Sequence, residues 1–330
     1  MKILVTRKNN HHLKRCFFIT VLVLVAGLLP LHSQMTRNVK RPKITGVAHA
    51  AFFVKNIDQA RAFYKDFLGY AEPYSLKKNN SDELALTYIK INDRQVIEIF
   101  PERDAGSDRL YHFAIETDDA EGMRQYLASK GVKVPEKTPA GRTGNLNYFV
   151  TDPNGIICEI VQYTPNGRTI QNFGKDMPYT RISDHMSHVG IMVANLDSAM
   201  KFYHDILGFK EIWRGSSNGT MLSWVNMKAP EGDDYIEFML FEKEPLTDRK
   251  GTMNHICLVV DDVAASGKIL QSRKLPEGFR IPTEMKTGIN RKRQINYYDG
   301  DGTRVEIMEP KTIDGLPVPS SNAPAPKLIW

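Results

Sequence analysis

The sequence predicts an α+β protein built from four strand–helix–strand–strand–strand (βαβββ) units that form two tandem domains. A chain of 330 residues is long enough for two domains. Residues 46–70 and 187–209 have closely similar sequences. Each has an apolar strand pattern followed by an amphipathic helix pattern that ends in Leu-Gly and an aromatic residue. The strand–helix pattern also restarts in the middle of each half, so each half contains two units.

In the first half, apolar periodicity and glycine positions mark the elements in order. Asp58 is a suitable N-cap, apolar side chains follow at helical spacing, and Gly69 is placed to end the helix. The strand and helix patterns predict a first unit with strand 46–54, helix 58–68 and strands 84–90 and 95–100, and a second unit with strand 110–117, helix 119–130 and strands 146–151 and 156–163. One strand in the middle of each unit is poorly marked.

The second half repeats this order, and the breaks between patterns set the predicted boundaries. The first domain covers 44–163, a linker rich in turn residues covers 164–184, and the second domain covers 185–310. A tail at 311–330, rich in proline, is expected to be extended or disordered. The strands and helices of the second domain are predicted at 187–194, 197–207, 221–227, 234–241, 253–260, 262–274, 294–298 and 303–308.

Residues 1–33 have the pattern of an export signal. A basic segment ends at Arg15, and a 15-residue apolar run extends from Phe17 to Leu31. A bilayer span needs about 20 apolar residues, so we expect cleavage after Ser33 or Gln34 and no stable membrane span after processing. The predicted location is periplasmic or secreted; an uncleaved anchor and a cytoplasmic protein that starts at Met35 are the alternatives.

The charge balance argues against a nucleic-acid partner. Residues 1–33 hold five Lys or Arg residues and no Asp or Glu, and without them 39 basic residues face 38 acidic ones. The body is therefore nearly neutral. Two cysteines remain, Cys158 and Cys257, both in apolar strands, and they are too few for a disulfide framework.

Four polar residues recur in the same order on apolar strands of both halves. Unpaired buried carboxylates cost several kcal/mol, and a divalent cation is the partner that accounts for two imidazoles and two carboxylates together. The repeat therefore predicts metal binding, with Zn, Ni, Co, Mn and Fe all compatible. The predicted ligands are His49, Glu98, His112 and Glu159 in the first half and His188, Glu237, His255 and Glu306 in the second.

The grouping of these ligands stays open at this level. Each half could close its own site. Alternatively, units could pair across the halves, which would join His49 and Glu98 with His255 and Glu306, and the remaining four ligands with one another. Because the chain can act as a pseudo-dimer of its own halves, we expect a monomer.

The strand His followed by V-x-N-[IL]-D, the FY-x-D-x-LG-[YF] helix end and the closing DPNG-xxx-E resemble the vicinal oxygen chelate superfamily, which includes glyoxalase I, extradiol dioxygenases and bleomycin-resistance proteins. The resemblance covers 44–163 and 186–309. It implies that the units form two cupped mixed sheets. The His–Glu–His–Glu set is most similar to glyoxalase I, which implies catalytic roles for Glu159 and Glu306 as proton acceptors.

The loop before the last two strands of each half departs from the dioxygenase pattern. Arg142 stands near the expected His and Phe149 at the expected Tyr, while the second half has Arg291 and Asn296 there. This departure argues against ring cleavage. Arg142 and Arg291 are expected at matching places, where they could bind an anionic substrate; solvated loop arginines are the alternative.

These features predict an exported, metal-dependent lyase or isomerase whose small-molecule substrate chelates the metal through two adjacent oxygens and passes through an enolate-type intermediate. A small-molecule binding or resistance protein without turnover, or a dioxygenase-like enzyme, is the alternative. Substitution of Glu159 and Glu306 by glutamine discriminates between an enzyme and a binder.

Overall fold

A computed structural model describes residues 39–104, 109–246, 250 and 252–328. The predicted export signal at 1–33 lies outside these residues and stays a prediction. Within the described ranges, no helix has both the length and the apolar character that crossing a bilayer requires.

The first half folds into a seven-stranded mixed sheet with the order β2-β3-β4-β1-β5-β7-β6. Strand β1 lies in the middle, parallel to β4 and antiparallel to β5, and β5 runs parallel to β7. Both βαβββ units of this half therefore contribute to one sheet. The strands are β1 (Ile44–Val54), β2 (Ser75–Lys77), β3 (Leu84–Lys90), β4 (Val96–Pro101), β5 (Leu110–Thr117), β6 (Leu146–Thr151) and β7 (Ile157–Gln162).

The second half forms an eight-stranded mixed sheet with the order β13-β14-β15-β12-β8-β11-β10-β9. Its central strands repeat the pairing of the first sheet. Two curled mixed sheets with few helices confirm the predicted α+β fold. The strands are β8 (Met186–Val193), β9 (Lys210–Gly215), β10 (Trp224–Lys228), β11 (Tyr235–Leu240), β12 (His255–Val259), β13 (Lys286–Thr287), β14 (Arg293–Tyr298) and β15 (Arg304–Met308).

The first helix of each half changes its winding midway. The Leu68 N–H donates to Phe63 O at 2.8 Å and the Leu207 N–H to Phe202 O at 3.0 Å, which are i to i−5 bonds typical of π-helix. Asn56, rather than the predicted Asp58, caps the first helix. The helices are α1 (Ile57–Arg61) with the π-helical segment Ala62–Phe67, α2 (Ala120–Ser129), α3 (Arg168–Gln171), α4 (Leu196–Met200) with the π-helical segment Lys201–Ile206, and α5 (Val263–Ser272).

The two halves share one core. Buried apolar residues of both sheets form a single cluster, and the described chain behaves as one compact unit. The π-helical segments carry this contact reciprocally. The Tyr64 hydroxyl donates to Asp299 Oδ2 at 3.1 Å, and the Tyr203 hydroxyl donates to Asp152 Oδ2 at 3.0 Å. Each buried tyrosine thus satisfies a buried aspartate at the closing turn of the other half.

The linker and the tail both pack on the body. Buried Lys90 donates from Nζ to the carbonyls of Asn172 at 2.6 Å and Lys175 at 2.7 Å, which fixes the linker against the first sheet. In the tail, the Ser321 N–H donates to Arg214 O at 2.9 Å and Pro324 O accepts from the Leu222 N–H at 2.8 Å. The tail is therefore extended along the edge strand β9.

Candidate metal centres

The first set of predicted ligands converges on the concave face of the first sheet. His49, Glu98, His112 and Glu159 lie on the adjacent central strands β1, β4, β5 and β7. The two Nε2 atoms of His49 and His112 are 3.1 Å apart. Glu159 Oε2 lies 3.3 Å from His49 Nε2 and 3.1 Å from His112 Nε2. The Glu98 carboxylate oxygens lie 3.8 and 3.6 Å from the same two nitrogens.

The second set forms the same cluster on strands β8, β11, β12 and β15. The Nε2 atoms of His188 and His255 are again 3.1 Å apart. Glu306 Oε2 lies 3.4 Å from His188 Nε2 and 3.7 Å from His255 Nε2, and Glu237 Oε2 lies 3.4 Å from His255 Nε2. Each half therefore gathers its own four residues, and the grouping across halves is wrong. The reason is topological, since β1 pairs with β5 within the first sheet and β8 pairs with β12 within the second.

These clusters fit a divalent metal. Ligands about 2.1 Å from an ion lie about 3.0 Å apart in octahedral and about 3.4 Å apart in tetrahedral geometry. The separations between ligand atoms, 3.1–3.8 Å, include the tetrahedral value and begin about 0.1 Å above the octahedral one. All eight side chains are buried. Two imidazoles and two carboxylates form a donor set typical of first-row transition metals, and such a cation would compensate the buried charges.

Charge is distributed unevenly within the first cluster. Burial lowers the pKa of His49, but the carboxylates of Glu98 and Glu159 outweigh burial and raise this pKa to about 9. Burial raises the pKa of Glu159, but His49 and His112 outweigh it and lower this pKa to about 2. For Glu98, burial prevails and the pKa is raised. Without a metal, this cluster therefore holds a proton on imidazole.

The second cluster differs because a cation stands beside it. Burial and the Arg304 guanidinium lower the pKa of His255 to about 3, so this imidazole is neutral. Its Nδ1 lies 2.8 Å from Met253 O and 2.5 Å from Arg304 Nη2. Met253 O can only accept and Arg304 Nη2 can only donate, so the two contacts favour opposite tautomers. The tautomer with Nδ1–H on the carbonyl is the one that leaves the Nε2 lone pair available to a metal.

Each cluster opens into a cavity, and the two cavities have different walls. The first has a volume of about 240 Å³ and is bounded by all four clustered residues. Its further lining includes six aromatic side chains, those of Tyr74, Tyr88, Phe100, Tyr111, Phe149 and Tyr163. The second has a volume of about 310 Å³ and includes Glu237 and Glu306. Two indoles and two cations line it, from Trp213, Trp224, Lys286 and Arg304.

The two loop arginines do not occupy matching places. Arg142 lines the first cavity and donates to the backbone carbonyl of Lys77. Arg291 pairs with Asp314 and is absent from the lining of the second cavity. Matching turns show why, since Arg291 (φ 57°) takes the left-handed position that Gly144 (φ 82°) takes in the first half. The expectation of equivalent arginines is therefore wrong.

Both cysteines are buried free thiols. Cys257 faces the second cluster, where ligand atoms of His188, Cys257 and Glu306 lie within 4.8 Å of one another. Cys158 is adjacent to Glu159 in sequence, so its side chain points to the opposite face of β7.

Sequence patterns alone missed the residues that face the ligands across neighbouring strands. Tyr88 lies opposite Glu98 on the neighbouring strand β3. Asn226 takes the matching position opposite Glu237. The period-two alternation of strand residues is the signal that could have identified both, once the pairing register was known.

A model of the Glyoxalase/Bleomycin resistance protein/Dioxygenase superfamily matches residues 46–160 and 185–307. The chain belongs to this superfamily. The match covers both sheets and includes all eight predicted metal ligands. It does not include the tail or the N-terminal segment.

Curated relatives are distant. The chain is 25% identical over 206 residues to a lactoylglutathione lyase of Arabidopsis thaliana, a match that covers 61% of this chain and 66% of the lyase, just under two thirds of its length. It is 28% identical over 135 residues to a mitochondrial methylmalonyl-CoA epimerase of Mus musculus, covering 38% of this chain and 72% of the epimerase.

Solved structures show the same fold. The Mn(II)-bound glyoxalase from Novosphingobium aromaticivorans aligns with a TM-score of 0.61 at 16% identity, over 88% of this chain and 89% of that chain. A homoprotocatechuate 2,3-dioxygenase variant from Brevibacterium fuscum also aligns with a TM-score of 0.61, at 14% identity over 88% and 78% of the two chains. At these identities the likeness concerns the fold alone.

Proposed function

We propose that this chain is a metal-dependent enzyme of the glyoxalase type, a lyase or isomerase that acts on a small molecule with two adjacent oxygens. One observation carries the proposal. In each sheet, every residue of a His–Glu–His–Glu set has a ligand atom within 3.1–3.8 Å of a histidine Nε2 of the same set, beside a cavity. The metal-bound glyoxalase among the structural relatives supports a divalent cation as the cofactor.

When bound, a divalent cation supplies Lewis-acid chemistry, since it polarises vicinal oxygens and acidifies the neighbouring C–H. In the first centre, His49 and His112 would hold it through Nε2, and aromatic side chains line the cavity beside it. We assign proton transfer to Glu159 and Glu306. Tyr88 lies opposite Glu98, the other carboxylate of this centre.

The partner in this proposal is a small molecule, and the chain acts as a monomer. The shared core and the reciprocal contacts of Tyr64 and Tyr203 already supply, within one chain, the contact between two sheets. The names of the relatives suggest two defined probes with an acidic C–H, S-lactoylglutathione and methylmalonyl-CoA.

The test measures deuterium uptake from D₂O into S-lactoylglutathione and methylmalonyl-CoA by NMR, with full-length protein loaded with Mn(II). We expect exchange in S-lactoylglutathione, whose hydroxyl and carbonyl oxygens are on adjacent carbons, and less in methylmalonyl-CoA, whose oxygens are on carbons separated by a third. Glu159→Gln and Glu306→Gln together should reduce it by about 10²-fold or more, because a general base contributes about 10²–10⁴-fold. Glu309→Gln, at a buried glutamate outside both centres, serves as the control. Unchanged exchange in the double variant, or equal exchange in metal-free protein, would contradict the proposal.

A further inference from the structure

The two centres share their ligands but differ in the residues that frame them. Opposite the first glutamate, Tyr88 faces Glu98 in the first sheet, whereas Asn226 faces Glu237 in the second. Asn226 is 6% exposed, and its Oδ1 has no hydrogen-bond partner among the described residues. An aromatic hydroxyl has thus been replaced by a buried, unsatisfied amide.

The residue opposite the second glutamate of each set also changes from an aromatic residue in the first sheet to asparagine in the second. Phe149 lies opposite Glu159 on β6, and Asn296 lies opposite Glu306 on β14. Asn296 is 3% exposed, and its Oδ1 also lacks a partner in the described part of the chain. Both flanks of the second centre therefore present polar groups where the first centre presents rings.

A cation completes the difference. Arg304 precedes Glu306 by two residues on β15, and the matching residue on β7 is Ile157. Arg304 lines the second cavity and forms no ion pair with a carboxylate among the described residues. Its Nε is buried without a hydrogen-bond partner there. A buried donor of this kind is costly unless a ligand satisfies it.

A second cation lies close by. Lys292 is half-buried; burial lowers the pKa of its ammonium group, and the nearby charges of Glu306 and Glu237 oppose this shift. Its match in the first half is Asn145, because the turn glycines Gly141 and Gly288 donate to the carbonyls of Asn145 and Lys292 at 2.7 and 2.9 Å. A divalent ion balances two carboxylates, so Arg304 and Lys292 leave the loaded second centre with positive charge.

We propose that the second centre is selective for a small carboxylate ligand, a 2-hydroxy or 2-oxo acid, whose carboxylate pairs with Arg304. This inference rests on the proposed function, because the two adjacent oxygens of such an acid are the vicinal pair that the metal would bind. The indole N–H of Trp213, buried in the lining and without a partner in the described residues, is a further donor for the ligand. The first centre has Ile157 at the position of Arg304, and the Arg142 guanidinium in its cavity already donates to the Lys77 carbonyl, so we expect a weaker preference there.

The test compares lactate with lactamide, its uncharged isostere, by isothermal titration calorimetry on the full-length chain loaded with Mn(II). We expect lactate to bind one site per chain, about ten- to hundred-fold more tightly than lactamide, in line with a charge-assisted pair. Arg304→Ile, which installs the residue of the first half, should remove this preference, and Arg304→Lys should retain part of it. Arg124→Ala, at an arginine that pairs with Glu121 on α2 and lines neither cavity, should leave it unchanged.

Metal content is measured on every sample, so that failure of this inference can be distinguished from failure of the proposed function. Two ions per chain with equal binding of lactate and lactamide by the wild type would overturn this inference alone. An Arg304→Ile variant that binds two ions and keeps the lactate preference would do the same. Absence of metal uptake by the wild type would contradict the proposed function and this inference with it. The wild-type comparison decides the matter even if Arg304→Ile does not fold.

Discussion

Gly190 is a residue whose small size the second centre requires. It lies opposite His255 on the neighbouring strand, and a Cβ added to it would lie 2.0 Å from the imidazole ring. The ring belongs to a proposed metal ligand, so it cannot move aside without leaving the cluster. The first half has Ala51 opposite His112, so its backbone geometry accommodates a Cβ.

We expect Gly190→Ala to displace His255 and to remove metal from the second centre only. Overpacking of this kind costs about 1–3 kcal/mol of unfolding free energy. Metal content should fall from two ions per chain to one, whereas Ala51→Gly should keep both. Retention of two ions by Gly190→Ala would show that His255 can bind from another position or does not bind.

Proton release on metal binding should differ between the centres. The pKa of His49 is raised from 6.5 to about 9, so its proton stabilises the metal-free fold fully below about pH 6.5, and this contribution is lost as the pH rises through about 9. A metal must displace this proton, so the affinity of the first centre should rise with pH up to about 9. The pKa of His255, lowered to about 3, leaves no proton to displace there.

The measurement is calorimetry of Mn(II) binding at pH 7 in two buffers that differ in ionisation enthalpy. The His188→Ala variant keeps only the first centre intact, and the His49→Ala variant keeps only the second. We expect about one more proton released by the first than by the second. Equal proton release from both variants would contradict the charge distribution described for the clusters.

At the scale of elements, the π-helical segments couple the halves. Tyr64 and Tyr203 each donate a buried hydrogen bond to an aspartate of the other half. Tyr64→Phe and Tyr203→Phe should each lower the free energy of unfolding by about 1.5–3 kcal/mol, since a buried carboxylate loses its donor. Urea unfolding of metal-free protein measures this, with exposed Tyr179→Phe as the control. Variants as stable as the control would contradict the coupling.

The central strands were predictable from sequence, whereas three strands at sheet edges, β2, β9 and β13, were not. The central strands and the ends of the first helices, with Gly69 and Gly208 in the left-handed region, follow from periodicity and glycine placement. Strands β2 and β13 have only three and two residues, too few for an alternation to register. Asn56 took the cap because its side chain reaches the N–H groups of Asp58 and Gln59.

The register of a loop was beyond sequence reasoning. Arg142 and Arg291 lie at similar places when the two halves are aligned by sequence. The hydrogen bonds of the two turns, however, make Arg291 equivalent to Gly144. Spacing along an irregular segment does not fix which residue faces a cavity, because backbone hydrogen bonds in the turn decide it. The strand ligands were predictable because alternation does fix the face of a strand residue.

At the scale of the whole molecule, the duplication predicted eight ligands but not their grouping. Either grouping satisfies the same charges, and only the pairing of β1 with β5 and of β8 with β12 decides between them. The single core shared by both halves likewise depends on contacts between segments far apart in sequence, such as Phe67 with Tyr297, whose ring centres are 5.6 Å apart.

Metal stoichiometry of the full-length protein tests the central claim most directly. Protein stripped with a chelator, reloaded with Mn(II) and desalted should contain two ions per chain by inductively coupled plasma mass spectrometry. His49→Ala with His112→Ala should leave one ion, and His188→Ala with His255→Ala should also leave one. A wild-type protein that retains no stoichiometric metal, or paired variants that retain two ions, would contradict the account.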